Sequence, residues 1–442
     1  MFKMLQLYLD HFFAAKRSVL VIFLFSLLIR FVFIAFLHDQ YYWPDEIDYD
    51  ATARRLVSGL GYGNWTARGP LYEFFVAAVY WFFDPNIVAI RAVQAVLDSF
   101  SCVLLIFITA SFFGKREGCI AGFLYAIYPL FIYFCGMLLS ESLYIFIFLL
   151  FLFSSQRAIA TQKMIHFCLS AFLLGLSALC RPISLFFIIP TAFVLSLYLY
   201  DGAKLKYLRN AILYTAISFC AIMPWTIRNY LYHGEFILVS TGGGRAFWFA
   251  NNPQGVLFGN QTYPDELKRE LLNVPGVEPE ADRFSFDEAQ DYFVQYAQVF
   301  SNIYINAARD KLLYKKSFDF IKQNLGKALL NYFKRVIFFW NPFPHSMTMN
   351  AHNSIKAKPV LFISYAPLVL LALIAVFSLR RKLLKIAFPL FLILIYNLAS
   401  ALFTLSIRYR VCIDAVIVLL ASISVAKLFD RNPAKDLRPG PS

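Results

Sequence analysis

Charge is what this 442-residue sequence has least of. Asp, Glu, Lys and Arg make up 15% of it, against 60% hydrophobic and 18% aromatic residues, and the mean hydropathy is +0.60. That balance excludes an ordinary soluble domain and describes an integral membrane protein. Acidic residues are the scarcer sign, 27 against 41 Lys and Arg, for a formal net charge of +14. In so apolar a chain the basic surplus belongs to cytoplasmic loops and anionic headgroups, and is poor evidence for nucleic acid binding. The cysteines Cys102, Cys119, Cys135, Cys168, Cys180, Cys220 and Cys412 all fall in or beside apolar runs without CxxC or Cys/His spacing, which argues against a disulfide framework or a zinc cluster. His11, His38, His166, His233, His345 and His352 form no ligand-spaced pair. No internal repeat or low-complexity tract is found, and no GK[ST] follows the glycines of "TGGGR" (241 to 245), so a phosphate cradle there has little support. No small-residue cleavage site follows the first apolar run, so Lys3, Lys16 and Arg17 before it read as the flank of an uncleaved signal anchor.

What is present in abundance is long apolar stretches. Runs suited to spanning occur at about 18–37, 91–113, 118–139, 142–155, 164–180, 182–200, 209–225, 360–379, 386–407 and 411–427, about ten spans of the ~20 residues that a bilayer core requires. The expected class is an all-α polytopic membrane protein. Basic residues in the short connections 115–116, 157–163, 204–209 and 380–385 put those connections and both termini in the cytoplasm. The chain then divides into a transmembrane module (1–225) with a first outer loop at 38–90, an outer-face segment (226–359), further spans (360–427), and a tail (428–442) expected to be disordered. Within the outer loop, Pro44 to Ser58 reads as a short helix with acids in its first turn, Arg54 and Arg55 in its last and Gly59 as terminator. Residues 70–83 form an apolar stretch too short to span, suited to the membrane interface. In the outer segment 240–253 reads as loop and 287–340 as helices. The sequons at Asn64 and Asn260 both fall outside.

The polar chemistry collects on that outer face. Asp39, Asp45, Glu46, Asp48 and Asp50 crowd the edge of the first span. Acids at a helix start complement the macrodipole, yet anionic headgroups repel such a cluster, so a general base, or a divalent cation held near Asp45 and Glu46, stands beside the bland reading. Glu141 opens a later span at its outer end, as a second carboxylate on the same face or simply a helix-start acid. Arg68, Arg91, Arg181, Arg228, Arg245, Arg408 and Arg410 map to the same side, where each is either a phosphate ligand or a headgroup-facing residue. Arg410 and Asp414, four apart, are spaced to pair, leaving Arg408 for a ligand. Inside the spans, Asp98 shares a helical face with Gln94 and Arg91 and reads as an internal polar network, as does Arg30.

Several of these stretches, in this order, resemble one family. "WPDEIDYDATARRLVSG", "ARGPLYEFFVAAVYWFF", "LSESLYIF", "CRPISLFFIIP", "MPWTIRNY", "ALLNYFKRVIFFWNP" and "RYRVCIDAVIVLLAS" are similar to landmarks of the GT-C membrane glycosyltransferases, in particular the bacterial family 39 type akin to protein O-mannosyltransferases and lipid A aminoarabinose transferases. The resemblance covers most of the chain to about residue 426. It departs at "RGP", where relatives often carry two prolines, and at "NLGKALL", which replaces an Asn-Pro. It implies a GT-C fold and inverting transfer of a sugar from a polyprenyl (undecaprenyl or dolichyl) phosphate to an acceptor hydroxyl or phosphate, on a lipid, glycan or protein, at the outer face of a bacterial inner membrane. By position it implies Asp45 as catalytic base, Glu46 supporting it or orienting the acceptor, and Glu141 as second acid. Arg68, Tyr72, Arg408, Arg410 and Arg228 would bind substrate, with no metal or other cofactor required because Arg can carry the leaving phosphate's charge. A flippase or transporter of lipid-linked saccharides should instead show internal repeats and polar residues at the midplane. A glycan ligase or polymerase would use a similar donor.

Overall fold

A computed structural model describes residues 17–63, 66–199, 202–253, 263–274, 306–343, 357–381, 386–403 and 405–429. Asn64, Asn260, His11, His345, His352, Lys3, Lys16, residues 287–305 and the tail from 430 lie outside the described residues. Those described form seventeen helices and no strand. In chain order these are α1 (Arg17–Ala35), α2 (Pro44–Val57), α3 (Leu71–Phe83), α4 (Ile87–Phe113), α5 (Lys115–Ile127), α6 (Pro129–Cys135), α7 (Glu141–Thr161), α8 (Met164–Cys180), α9 (Leu185–Tyr198), α10 (Lys204–His233), α11 (Gly243–Ala250), α12 (Asp265–Leu272), α13 (Ala307–Gln323), α14 (Leu325–Phe338), α15 (Ala357–Ser378), α16 (Ala387–Ser400) and α17 (Ile407–Phe429).

By length and composition, six helices can cross a membrane: α1, α4, α7, α10, α15 and α17. The stretch expected as one span over 118–139 is instead the pair α5 and α6, bent by 58° at Tyr128, and counting it gives up to seven. Pro129 explains the break, since its ring forces Tyr128 out of the helical region (φ −71, ψ 117). Three more expected spans are the shorter apolar helices α8, α9 and α16. Arg181 and Pro182 cut α8 from α9, and α16 stops well short of 407. At the other end of the scale, α10 runs thirty residues across an internal Pro224 and ends at Gly234, whose φ of 68° supplies the left-handed cap.

The core is built around α17, the most buried span, with 83% of its apolar window buried. It packs against α15, α5, α16, α7 and α4. Helix α1 lies at the rim, with Leu20, Leu24 and Leu28 turned outward as lipid contact requires. The segment between α10 and α15 has its own small core of Trp248, Tyr263, Leu267, Leu271 and Leu313. Residues 240–253, expected as loop, contain α11. Its start is fixed by Asp310 of α13, whose Oδ1 accepts from the Gly244 N–H at 2.7 Å. A side chain at Gly243 would strike the Tyr314 hydroxyl, and one at Gly244 the Asp310 carbonyl. The glycines of "TGGGR" therefore serve close packing, and an internal carboxylate takes the N–H that a phosphate would have taken.

The buried polar residues of the spans do not form the single network expected. Asp98 pairs with Arg30 (2.5 Å) and accepts from the Tyr125 hydroxyl (2.6 Å). Gln94 turns to Tyr72 and to the carbonyls of Cys135 and Met137. Arg91 reaches up to the carbonyls of His38 and Gln40. The separation follows from depth, because successive polar positions on α4 meet different neighbouring elements.

Candidate active site

The loop after α1 begins α2 with Trp43 as N-cap, Pro44 at the first position and Glu46 at the third. Glu46 is fully buried. One of its oxygens accepts from the N–H groups of Tyr42 (2.5 Å) and Trp43 (3.2 Å), the reach-back half of a capping box. The other accepts from the Leu138 N–H at 2.7 Å. Burial pushes the Glu46 carboxyl up, and the three backbone bonds pull it down. Its effect is to tie the start of α2 to the turn that opens α7, which brings Asp45 to Glu141.

Between those two carboxylates lies Arg408, the second residue of α17. Its Nε donates to Glu141 at 2.5 Å and its Nη1 donates to Asp45 Oδ2, while its guanidinium rests 5.1 Å from the Trp43 ring. Arg68 takes the other oxygen of Asp45 at 2.6 Å and reaches Asp48 at 3.0 Å. Arg181, in the extended residue between α8 and Pro182, pairs with Glu141 at 3.0 Å. Asp45, Asp48 and Glu141 thus face Arg68, Arg181 and Arg408, three charges of each sign. Burial would push Asp45 up, but Arg68 and Arg408, with Arg245 behind them, outweigh it and hold the carboxyl far below the usual carboxylate range.

The strand of chain carrying Arg68 is held from both sides. The Thr66 carbonyl accepts from the Thr241 N–H at 2.7 Å, and Gly69 lies so close to the Leu179 carbonyl of α8 that no Cβ fits. The "RGP" departure is therefore a packing requirement of this chain. Arg68 also lies 4.9 Å from the Tyr49 ring, and Tyr72, fully buried, packs edge-on to Tyr49 at 4.6 Å.

Sequence reasoning and geometry part at several residues. Arg408 is not left open for a ligand, being shared by Asp45 and Glu141. Arg410, also expected at the phosphate, turns the other way: it lies 3.7 Å from Asp414, donates to the Asn341 carbonyl and covers the Tyr365 ring. Arg228 donates to the Gly63 carbonyl and sits among Tyr62, Trp225 and Tyr232, away from Asp45. Asp50, one of the crowded acids, is buried and lies apart from Asp45, accepting from Tyr41 (2.9 Å), Tyr80 and Arg54 (2.6 Å). Asp48 and Arg181 belong to the site although the motif reading leaves them out. Spacing held the signal for Asp48, three residues from Asp45 and so on the same helix face; Arg181 stood out only as one cation of its side and as the Arg of "CRPISLFFIIP", with nothing local to pair it with Glu141.

No group of three or more His, Cys, Asp or Glu among the described residues is arranged to hold a metal ion. The pair suggested for a cation does not fit one: both Glu46 oxygens are taken by backbone N–H groups, and each Asp45 oxygen faces a guanidinium.

The family profile of the dolichyl-phosphate-mannose-protein mannosyltransferases matches residues 67–227. No curated protein sequence matches the chain. Among solved structures, it is similar to the archaeal oligosaccharyltransferase AglB from Archaeoglobus fulgidus in complex with an inhibitory peptide and a dolichol-phosphate, with 14% identity, a TM-score of 0.53, and coverage of 97% of this chain and 52% of that one. The same enzyme tethered with an acceptor peptide containing the NVT sequon gives the same identity, score and coverage. ArnT from Cupriavidus metallidurans bound to undecaprenyl phosphate is 15% identical with a TM-score of 0.42, covering 93% of this chain and 79% of that one. The chain spans about half the length of the archaeal enzyme.

Proposed function

For a chain with the GT-C fold of membrane glycosyltransferases, we propose inverting transfer of a sugar from a polyprenyl phosphate to an acceptor hydroxyl at the outer face of the membrane. One observation carries the reading: Arg408 bridges Asp45 and Glu141 while Arg68 holds the other oxygen of Asp45. A base with two cations against it suits a reaction whose leaving group is an anion. The matched family's dolichyl-phosphate-mannose chemistry and the dolichol-phosphate in the archaeal neighbour point to the same donor class.

The resting site is neutral by its own ion pairs, and Asp45 within it is a weak base. A donor phosphate competes for Arg68 and Arg408. As they turn to it, Asp45 loses the charges that depress it and its basicity rises when the donor is in place. The acceptor O–H then gives its proton to Asp45, and the oxygen forms its bond to the anomeric carbon. The bond from that carbon to the phosphate oxygen breaks on the opposite face, with its electron pair going to the phosphate. Arg68 and Arg408 stabilise the charge left on the lipid phosphate. Glu141, gripped by Arg181, orients Arg408, and Glu46 orients α2. Neither needs to touch the substrate.

The test is Asp45→Asn, assayed in membranes supplied with polyprenyl phosphate sugars. Transfer should fall on the order of 10²- to 10⁴-fold, the usual contribution of a general base, while the thermal midpoint stays close to wild type. Near-normal turnover in both Asp45→Asn and Glu141→Gln would remove the assignment.

A further inference from the structure

Helix α14 is inside out for a helix on a protein surface. Such a helix ordinarily turns its apolar stripe to the core and its polar stripe to water. Here the buried residues are Ala328, Asn331 and Arg335, and the polar groups bond inward. The Tyr332 hydroxyl donates to the Leu398 carbonyl at 3.1 Å, and Arg335 Nε donates to the Ala401 carbonyl at 2.7 Å. Leu325, Leu329, Leu330, Phe333 and Ile337 point the other way and are between 49% and 72% exposed. At about 100° per residue these five cover an arc of about 140°, and no polar side chain falls within it. So wide a continuous apolar face marks an interaction surface.

Position and charge identify what covers that face. Leu398 lies in the last turn of α16 and Ala401 directly after it, and the ring of Phe339, the residue after α14, packs 6.3 Å from Tyr396 of the same helix. Helix α14 therefore lies across the end of an apolar helix of the bundle, as a helix does in the boundary between acyl chains and headgroups. It carries no acid. Lys327 and Lys334 are both exposed. Standing seven residues apart, they fall within about 20° of each other, along the edge between the apolar arc and the buried face. Lys327 gives one bond to the Pro253 carbonyl, at 2.8 Å. A row of positive charge bordering an apolar stripe suits acyl chains topped by anionic headgroups. We propose that α14 docks on anionic lipid, with its apolar arc among the acyl chains and Lys327 and Lys334 against the headgroups. This holds whatever donor and acceptor the reaction uses.

The test places the full chain in phosphatidylcholine nanodiscs with a trace of a phospholipid that carries a diazirine in its acyl chain. The probe is either phosphatidylglycerol or phosphatidylcholine, and mass spectrometry maps the photolabelled residues. Both probes should label α14 at Leu329, Phe333 and Ile337 and spare Asn331 and Arg335, just as they label the outward Leu20, Leu24 and Leu28 of α1. On α14 the anionic probe should label at least about fivefold more than the neutral one, the preference that one lysine gives at a charged surface. Combining Lys327→Gln with Lys334→Gln should bring that ratio below about twofold while the apolar arc stays labelled. Lys334→Gln alone, which keeps the Lys327 bond to Pro253, should lower the ratio at least about twofold, and it serves if the double variant does not fold. Labelling of α1 without labelling of α14 overturns the docking. Cross-links from the arc to a second copy or to another segment of this chain, in place of lipid, overturn it as well. Equal labelling by the two probes in wild type, or an anionic preference that survives both variants, overturns the part given to the lysines.

Discussion

Arg408 and Arg410 stand two residues apart on α17, and a helix turns about 200° over that step. Only one of them can face Asp45. Arg408 does, and with 14% of its side chain exposed it holds two carboxylates close together. Removing it leaves both without their shared cation, and breaking such a pair costs more than the pair contributes. Arg408→Gln is expected to lower kcat/KM at least about 100-fold, close to the value of a donor aimed at developing charge. Arg410→Gln should lower the thermal midpoint through loss of the Asp414 contact yet leave kcat/KM of the folded fraction within about threefold, because a group turned away from the reacting atoms offers them nothing. Transfer kinetics combined with thermal unfolding separates the two, and equal kinetic damage from both would contradict the placement of Arg410.

At the scale of elements, the site exists because short pieces are held at exact depth. After the bend between α5 and α6, α6 runs into the turn whose Leu138 N–H reaches Glu46, and that turn delivers Glu141 at the head of α7. The Arg68 segment is fixed by Thr241 on one side and Leu179 on the other. Gly69→Ala puts a methyl into the Leu179 carbonyl, so the segment must shift. A shift on the order of 1 Å in a positioning group costs on the order of 10²-fold in rate. The expected outcome is a raised KM for donor and a lowered kcat, read from steady-state kinetics, with α-helix content by circular dichroism unchanged.

Across the whole molecule, Arg335 of α14 is one of the residues that join the segment between α10 and α15 to the bundle of spans. It is buried with no carboxylate partner among the described residues. Its guanidinium donates to the Ala401 carbonyl after α16 (2.7 Å), the Ala250 carbonyl at the end of α11 (2.6 Å) and Asn251 Oδ1 (3.2 Å). Two helix C-termini, each carrying partial negative charge, thus share one cation. Arg335→Met keeps the bulk and loses the bonds, and should cost on the order of 3 kcal/mol, since hydrogen bonds to a charged group are among the stronger ones. Limited proteolysis should then cut the segment between α10 and α15 faster than in wild type. Unchanged cleavage would show that the other bonds to the bundle, from Tyr332 to the Leu398 carbonyl and from Asn251 to the Leu402 carbonyl, hold the segment without it.

Some of this was open to reading from residue order alone, for a physical reason. A bilayer demands long apolar helices, so six of the expected spans stand as single helices, and Pro44, Glu46 and Gly59 mark α2 because capping and termination are local. The acids at 45 and 141 and the cations at 68 and 408 were legible as candidates, since charge beside a membrane is costly and so conspicuous. Tertiary structure decided everything that depends on which side chain meets which. The lengths of α8, α9 and α16, the burial of Asp50 under Tyr80, the internal use of "TGGGR" by Asp310, the entry of Arg181 and Asp48 into the site and the exit of Arg410 and Arg228 from it all follow from contacts between residues far apart in the chain. Local spacing fixes the face of a helix on which a residue lies, and only packing fixes what that face meets.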